Sequence, residues 1–127
     1  MFDPFYKLKV NTRPIAYHNF GVAGTTRSRF MTLPNIMSHL NYSKIVDVLK
    51  IDIEGDEFEA LNASSNLFFL RDHVVQLLVE LHFISRDLME LLALSLHQIG
   101  FVVFHKEPNL AGFRAECVAF VNSNFFL

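Results

Sequence analysis

Several things are scarce in this sequence, and each scarcity excludes a class of protein. There is one cysteine, Cys117, so no internal disulfide can form, and the apolar run CVAFV around it reads as a buried thiol rather than a reactive one. Neither sign of charge dominates. With 11 basic and 13 acidic residues the formal charge is -2, too balanced to predict a nucleic-acid surface or a patch for anionic membranes. No apolar run approaches the ~20 residues of a membrane span. The longest, Val74 to Leu81, is interrupted by Gln76 and Glu80. The opening MFDPFYKLK has neither a basic leader nor an apolar stretch of signal-peptide length, so secretion has no direct support. Linkers, internal repeats and low-complexity tracts are absent. Tryptophan is absent as well, but 14 phenylalanines and a 51% hydrophobic content suit one globular domain with a sizeable core.

The most informative stretch is Ile45 to Leu61, IVDVLKIDIEGDEFEAL. Val46, Val48, Leu49, Ile51 and Ile53 occupy both parities of an extended segment, which predicts a strand covered on both faces of a mostly parallel sheet. Ligands of open α/β sheets bind beyond the carboxyl ends of the strands, and that is where Asp52, Glu54, Gly55, Asp56 and Glu57 fall. After Gly55 a helix begins, with Asp56, Glu57 and Glu59 in its first turn, where the helix dipole favours carboxylates.

The flanking segments follow the same logic. Ile15 to Ala23 reads as a strand, the polar GTTRSR as a loop, and Thr32 to Leu40 as a short helix with Leu33, Ile36, Met37 and Leu40 on one face and Thr32 or Asn35 as cap. Val74 to Leu81 is a second doubly apolar strand. Ser85 and Asp87 open a helix through Ile99 with Leu88, Leu91, Leu92, Leu96 and Ile99 as its core face, and Gly100 suits a left-handed cap. Phe101 to Phe104 and Glu116 to Val121 read as two closing strands, joined by the turn-rich Lys106 to Arg114. The order βαβαβαββ predicts right-handed crossovers, helices on both faces, and a terminal hairpin that adds an antiparallel strand at one edge.

The run DVLKIDIEGDEFEAL, followed by QLLVELH and then by a helix and GFVVFH, resembles the FkbM-type and animal methyltransferase-like families of S-adenosylmethionine-dependent methyltransferases. The resemblance implies an α/β, Rossmann-like class I methyltransferase sheet, with the K-I-D-x-E-G-x-E strand beside the methyl donor and an antiparallel C-terminal hairpin. It also implies that Asp3, in the opening FDP, is the acid that holds the cofactor ribose, and that Asp52 lies at the cofactor. Family members begin with a strand and a glycine-rich turn, because only glycine lets the backbone approach a cofactor so closely. This chain has no such element; GVAG at Gly21 to Gly24 is followed by a polar loop and reads as the end of a strand. The implied sheet is therefore N-terminally truncated, whether as a fragment or as a reduced relative.

Each candidate has a plainer alternative. Asp52 is a ligand or catalytic acid, or a structural carboxylate that accepts helix amide bonds. Glu54 and Glu57 belong to the site or cap the next helix. Glu80 and His82 share one face at the end of their strand and make a candidate base or metal-ligand pair, or a satisfied histidine at a strand end. Asp52 with Glu54 or His82 suits Mg²⁺, which takes one or two carboxylates plus water and substrate. Zinc spacing is missing. His18, His39, His73, His97 and His105 lack ligand spacing, and Lys50 is expected to reach solvent or pair with an acid.

The leading expectation is O-methyl transfer from S-adenosylmethionine to a small-molecule or sugar-like hydroxyl, with His82 or Glu80 as base. The alternatives are a non-catalytic Rossmann-like interaction module, which the missing glycine loop and the aromatic tail Phe125 and Phe126 would suit, and a metal-assisted hydrolase built on the same acids.

Overall fold

The computed structural model describes residues 18–82, 85–108 and 115–126. Two short strands, β1 (Gly21–Val22) and β2 (Phe30–Met31), pair in parallel and lead into helix α1 (Leu33–His39). Strand β3 (Val46–Ile51) follows, then helices α2 (Glu57–Asn62) and α3 (Ser64–His73) and strand β4 (Val74–His82). Helix α4 (Arg86–Gln98) and strands β5 (Phe101–Pro108) and β6 (Ala115–Asn122) complete a mixed α/β fold, with a 3-10 turn at Ser123–Phe125. Expectations that fall on Asp3, on residues 15–17 or on residues 109–114 lie outside the described residues.

Local chemistry sets the boundaries. Helix α1 starts after extended Thr32 with Pro34 in its first turn, where a missing amide hydrogen costs nothing. In α4, Ser85 Oγ accepts the Leu88 amide at 3.3 Å, and Gly100 at φ +100 ends the helix as expected. Helix α3 is not evident in the sequence. Ala63, with ψ near 129°, interrupts the helical path between α2 and α3, and the Asn62–Asn66 run looks like a turn. What decides for helix is burial of Asn66, whose amide nitrogen donates to the carbonyls of Ala23 and Ala60 while its oxygen accepts the Leu33 amide at 2.7 Å. Gly24 lies beside this junction. A Cβ placed there would stand 2.9 Å from the Glu59 carbonyl oxygen, so the glycine lets the chain pass close to α2.

The main sheet has the order β3-β4-β6-β5. β3 and β4 pair in parallel, while β6 is antiparallel to both β4 and β5. The antiparallel strand is thus inside the sheet and not at its edge, a correction to the sequence-based topology. Its cause is pairing: β4 carries buried Val74, Leu77, Val79 and Leu81, and β6 hydrogen-bonds along the edge of β4 from Gln76 to His82, leaving β5 outermost. β5 also continues through Lys106–Pro108, which the sequence assigns to a turn. Asn122 locks the start of the parallel pair, donating to the carbonyls of Leu70, Arg71 and Val74 from a fully buried position.

Two-sided burial of β3 is a second expectation the structure corrects. Ile51 is 2% exposed, but Val48 is 51% exposed and Lys50 is also exposed. β3 is the terminal strand of the sheet among the described residues, and one of its faces has no cover there. The core lies on the other side, where Leu61, Leu70, Leu77, Leu92, Leu96 and Phe101 meet. Phe126, in the aromatic tail, is 68% exposed.

Candidate functional site

The site is built on the turn that links β3 to α2. Glu54 and Gly55 take φ values of +59 and +120, so the chain makes a left-handed bend just past the strand. A φ of +120 is open to glycine alone in practice, and a glutamate at +59 is uncommon. The bend turns the amides of Ile53 and Gly55 onto the carboxylate of Glu57, at 3.1 Å and 3.1–3.2 Å. The parallel pairing of β3 and β4 brings the end of β4 alongside. There His82 Nδ1 lies 2.9 Å from Glu57 Oε1, and the His82 amide donates to Oε2 at 3.4 Å.

Both partners are buried, His82 at 8% exposure and Glu57 at 1%. Burial pushes the Glu57 carboxyl upward, but the hydrogen bond with His82 and the amides of Gly55, Glu57 and Ile53 outweigh it and hold it below its ordinary value. Burial likewise pushes His82 downward. The hydrogen bond and charge of Glu57, with the charges of Glu54 and Asp52, reverse this and raise the imidazole above its ordinary value.

With Nδ1 turned to Glu57, His82 presents Nε2 to the mouth of the site. It stands 3.9 Å from Asp52 Oδ1, 3.8 Å from Glu54 Oε2 and 3.7 Å from Glu80 Oε1. The structure therefore brings together Asp52, Glu54, Glu80 and His82, from the end of β3 and the end of β4. Among the described residues, Asp52, Glu80 and His82 have donor atoms all within 4.8 Å of one another, and Glu54 lies outside that set. Lys50 pairs with Asp52 at 3.4 Å. The amide-accepting role considered for Asp52 belongs to Glu57, an acid whose place at a helix start gave reason enough for it without any buried partner.

Asp52 also lines an open groove of about 520 Å³ along β3, together with Val22, Ile36, Met37, Leu49, Ile51 and Phe69. The remaining histidines stay out of the cluster. His18 and His39 pack against Phe20, His73 stacks on Phe69, and His105 lies 3.6 Å from Glu107. Cys117 is half-buried, and burial together with the charges of Glu80 and Glu107 raises its thiol, which makes it a poorer nucleophile. No helix among the described residues is long and apolar enough to cross a membrane.

Compared with known families, residues 8–105 match the model described as the methyltransferase FkbM domain. Comparison with curated proteins and with solved structures returns no match.

Proposed function

Because the chain belongs to the methyltransferase FkbM domain family, we propose that it takes part in O-methyl transfer from S-adenosylmethionine to the hydroxyl of a small-molecule or sugar-like acceptor. The observation that carries this reading is the convergence of Asp52, Glu80 and His82 at the carboxyl ends of two parallel strands, the place where α/β folds bind their ligands. The groove beside Asp52 supports it. An adenosyl amino acid has an apolar-faced base and polar hydroxyl and ammonium groups, and the groove offers aliphatic and aromatic walls with the Asp52 carboxylate among its lining.

Bound S-adenosylmethionine would supply a methyl group made electrophilic by the sulfonium. The residues of this chain bind, orient and handle the proton. Asp3, by the resemblance, would hold the ribose, and Asp52 would line the cofactor cleft. His82 Nε2 takes the acceptor's proton, with Glu57 holding the ring's orientation from Nδ1 and Glu80 as the second candidate base. Positioning alone can supply ~7–11 kcal/mol of the barrier.

A Rossmann-like sheet truncated at its amino end belongs to the same proposal. Its support is the open edge and half-exposed face of β3 among the described residues. The test is calorimetry with the demethylated product, S-adenosylhomocysteine. Weak, near-millimolar binding by the 127-residue chain, and micromolar binding once an upstream strand and glycine loop are added if the gene encodes them, support the reading; tight binding by the 127-residue chain overturns the truncation, and an extended chain that does not bind overturns the methyltransferase reading.

A further inference from the structure

We propose that Asp52, Glu80 and His82 form a binding site for one divalent cation of the Mn²⁺ and Mg²⁺ class. Three observations carry it. First, the donors are of two kinds and come from two strands: a carboxylate just past β3, and a carboxylate and an imidazole in β4, all within 4.8 Å of one another.

Second, the spacing suits a shared ion. Ligands at 2.0–2.1 Å from an octahedral ion are ~3.0 Å apart when adjacent and ~4.2 Å apart when opposed. His82 Nε2 stands 3.9 Å from Asp52 and 3.7 Å from Glu80, between those limits and beyond a good hydrogen bond. Small side-chain adjustments would bring all three onto one ion.

Third, the imidazole is already oriented. Its ring is 7% exposed, and Nδ1 is held by the buried Glu57 carboxylate, the carboxylate–histidine support that metal-binding histidines have behind them. This is independent of the acids at the mouth, because Glu57 faces the other nitrogen. Asp52, at 35% side-chain exposure, leaves a route for the ion and for water or acceptor oxygens to complete its shell.

The donor set selects the ion class. Two carboxylates and one imidazole, with no thiolate among them, suit a hard ion, and the imidazole favours Mn²⁺ over Mg²⁺. What the ion would do rests on the methyltransferase reading: with His82 Nε2 and Glu80 on the ion neither would serve as the base, and the ion, binding the acceptor oxygen, would lower the pKa of the hydroxyl so that its proton passes to solvent water. Whether it binds does not rest on that reading.

The experiment is Mn²⁺ titration of the 127-residue chain, without cofactor or acceptor, followed by electron paramagnetic resonance of the free ion and by the nitrogen coupling of the bound ion. Expected are one site with a dissociation constant near or below ~10⁻⁴ M, a coupling from one imidazole nitrogen, and at least tenfold weaker binding in both Asp52→Asn and Glu80→Gln. Neither acid is deeply buried, so both variants are expected to fold, and circular dichroism checks this; Glu107→Gln serves as the unaffected control. No binding at 1 mM, unchanged binding in both variants, or a bound ion without nitrogen coupling overturns the site. Because this readout needs neither cofactor nor activity, its failure leaves the methyltransferase reading standing, and failed cofactor binding leaves this one testable.

Discussion

Glu57 Oε1 lies 2.9 Å from His82 Nδ1, joining the first turn of α2 to the last residue of β4 across 25 positions of sequence. The same carboxylate accepts the amides of Ile53 and Gly55, so one buried side chain fixes the bend after β3 and the ring at the end of β4 together. Removing it would take this acceptor from the imidazole and from three amides, those of Ile53, Gly55 and His82. Glu57→Ala is expected to cost ~3–5 kcal/mol, the range for breaking a buried ion pair by deleting one partner. Glu57→Gln keeps the shape and should cost less. Urea denaturation of both variants checks the order, and an alanine variant as stable as the parent would refute the linkage.

This pair also sets a pH dependence in the chelator-treated protein. Glu57 is lowered from its ordinary 4.5, so its contribution is full above that value and is lost as pH falls through the lower folded value. His82 is raised from 6.5, so its contribution is full below 6.5 and is lost as pH rises through the higher folded value. The thermal midpoint should therefore plateau between the two ordinary values and decline on both sides. In Glu57→Gln both declines should flatten; an unchanged profile would assign them to other groups.

Asp52 is expected to matter for chemistry more than for folding. It is partly exposed and is held by Lys50 at the surface, a pair that contributes little to stability. Asp52→Asn in an enzyme competent to bind cofactor should lower kcat/KM at least ~tenfold, about 1.4 kcal/mol, while moving the melting temperature by only a few degrees. A large loss of stability with activity per folded molecule preserved would make it a structural acid.

Asn66 should behave in the opposite way. Its side chain makes three buried hydrogen bonds, to Leu33, Ala23 and Ala60. Asn66→Ala leaves one amide and two carbonyls unsatisfied, each worth ~1–3 kcal/mol when buried, so a loss of at least ~3 kcal/mol is expected. Thermal or urea unfolding measures it, and a loss below ~1 kcal/mol would show that water replaces the amide.

Gly24→Ala tests close packing. The added methyl would meet the Glu59 carbonyl at 2.9 Å and Ala63 Cβ at 3.3 Å, and overpacking of this kind costs ~1–3 kcal/mol. Unchanged stability would mean that β1 shifts away from α2 freely.

Apolar runs and 3.6-residue spacing, which are local patterns, made α1, β3, β4, α4 and the two closing strands legible as elements, but not their buried faces: β3 reads as covered on both sides, and Leu88 and Leu91, expected on the core face of α4, are exposed while Leu92 and Leu96 are buried. The acid cluster after β3, the Glu80–His82 pair and the family were legible for the same reason: each is a short contiguous motif. Helix α3 was not, since Asn66 has the propensity of a turn residue and becomes helical only through carbonyls and an amide 6 to 43 positions away. The interior position of β6 was hidden too, because a hairpin reveals that two strands pair but not which of them meets β4. Nor could sequence separate Glu57 from its neighbours, as every acid in EGDE suits a helix start. Only the parallel register of β3 and β4, a long-range pairing, turns His82 toward Glu57 and makes that acid a buried partner, while Asp52, just past the end of β3, becomes a member of the mouth.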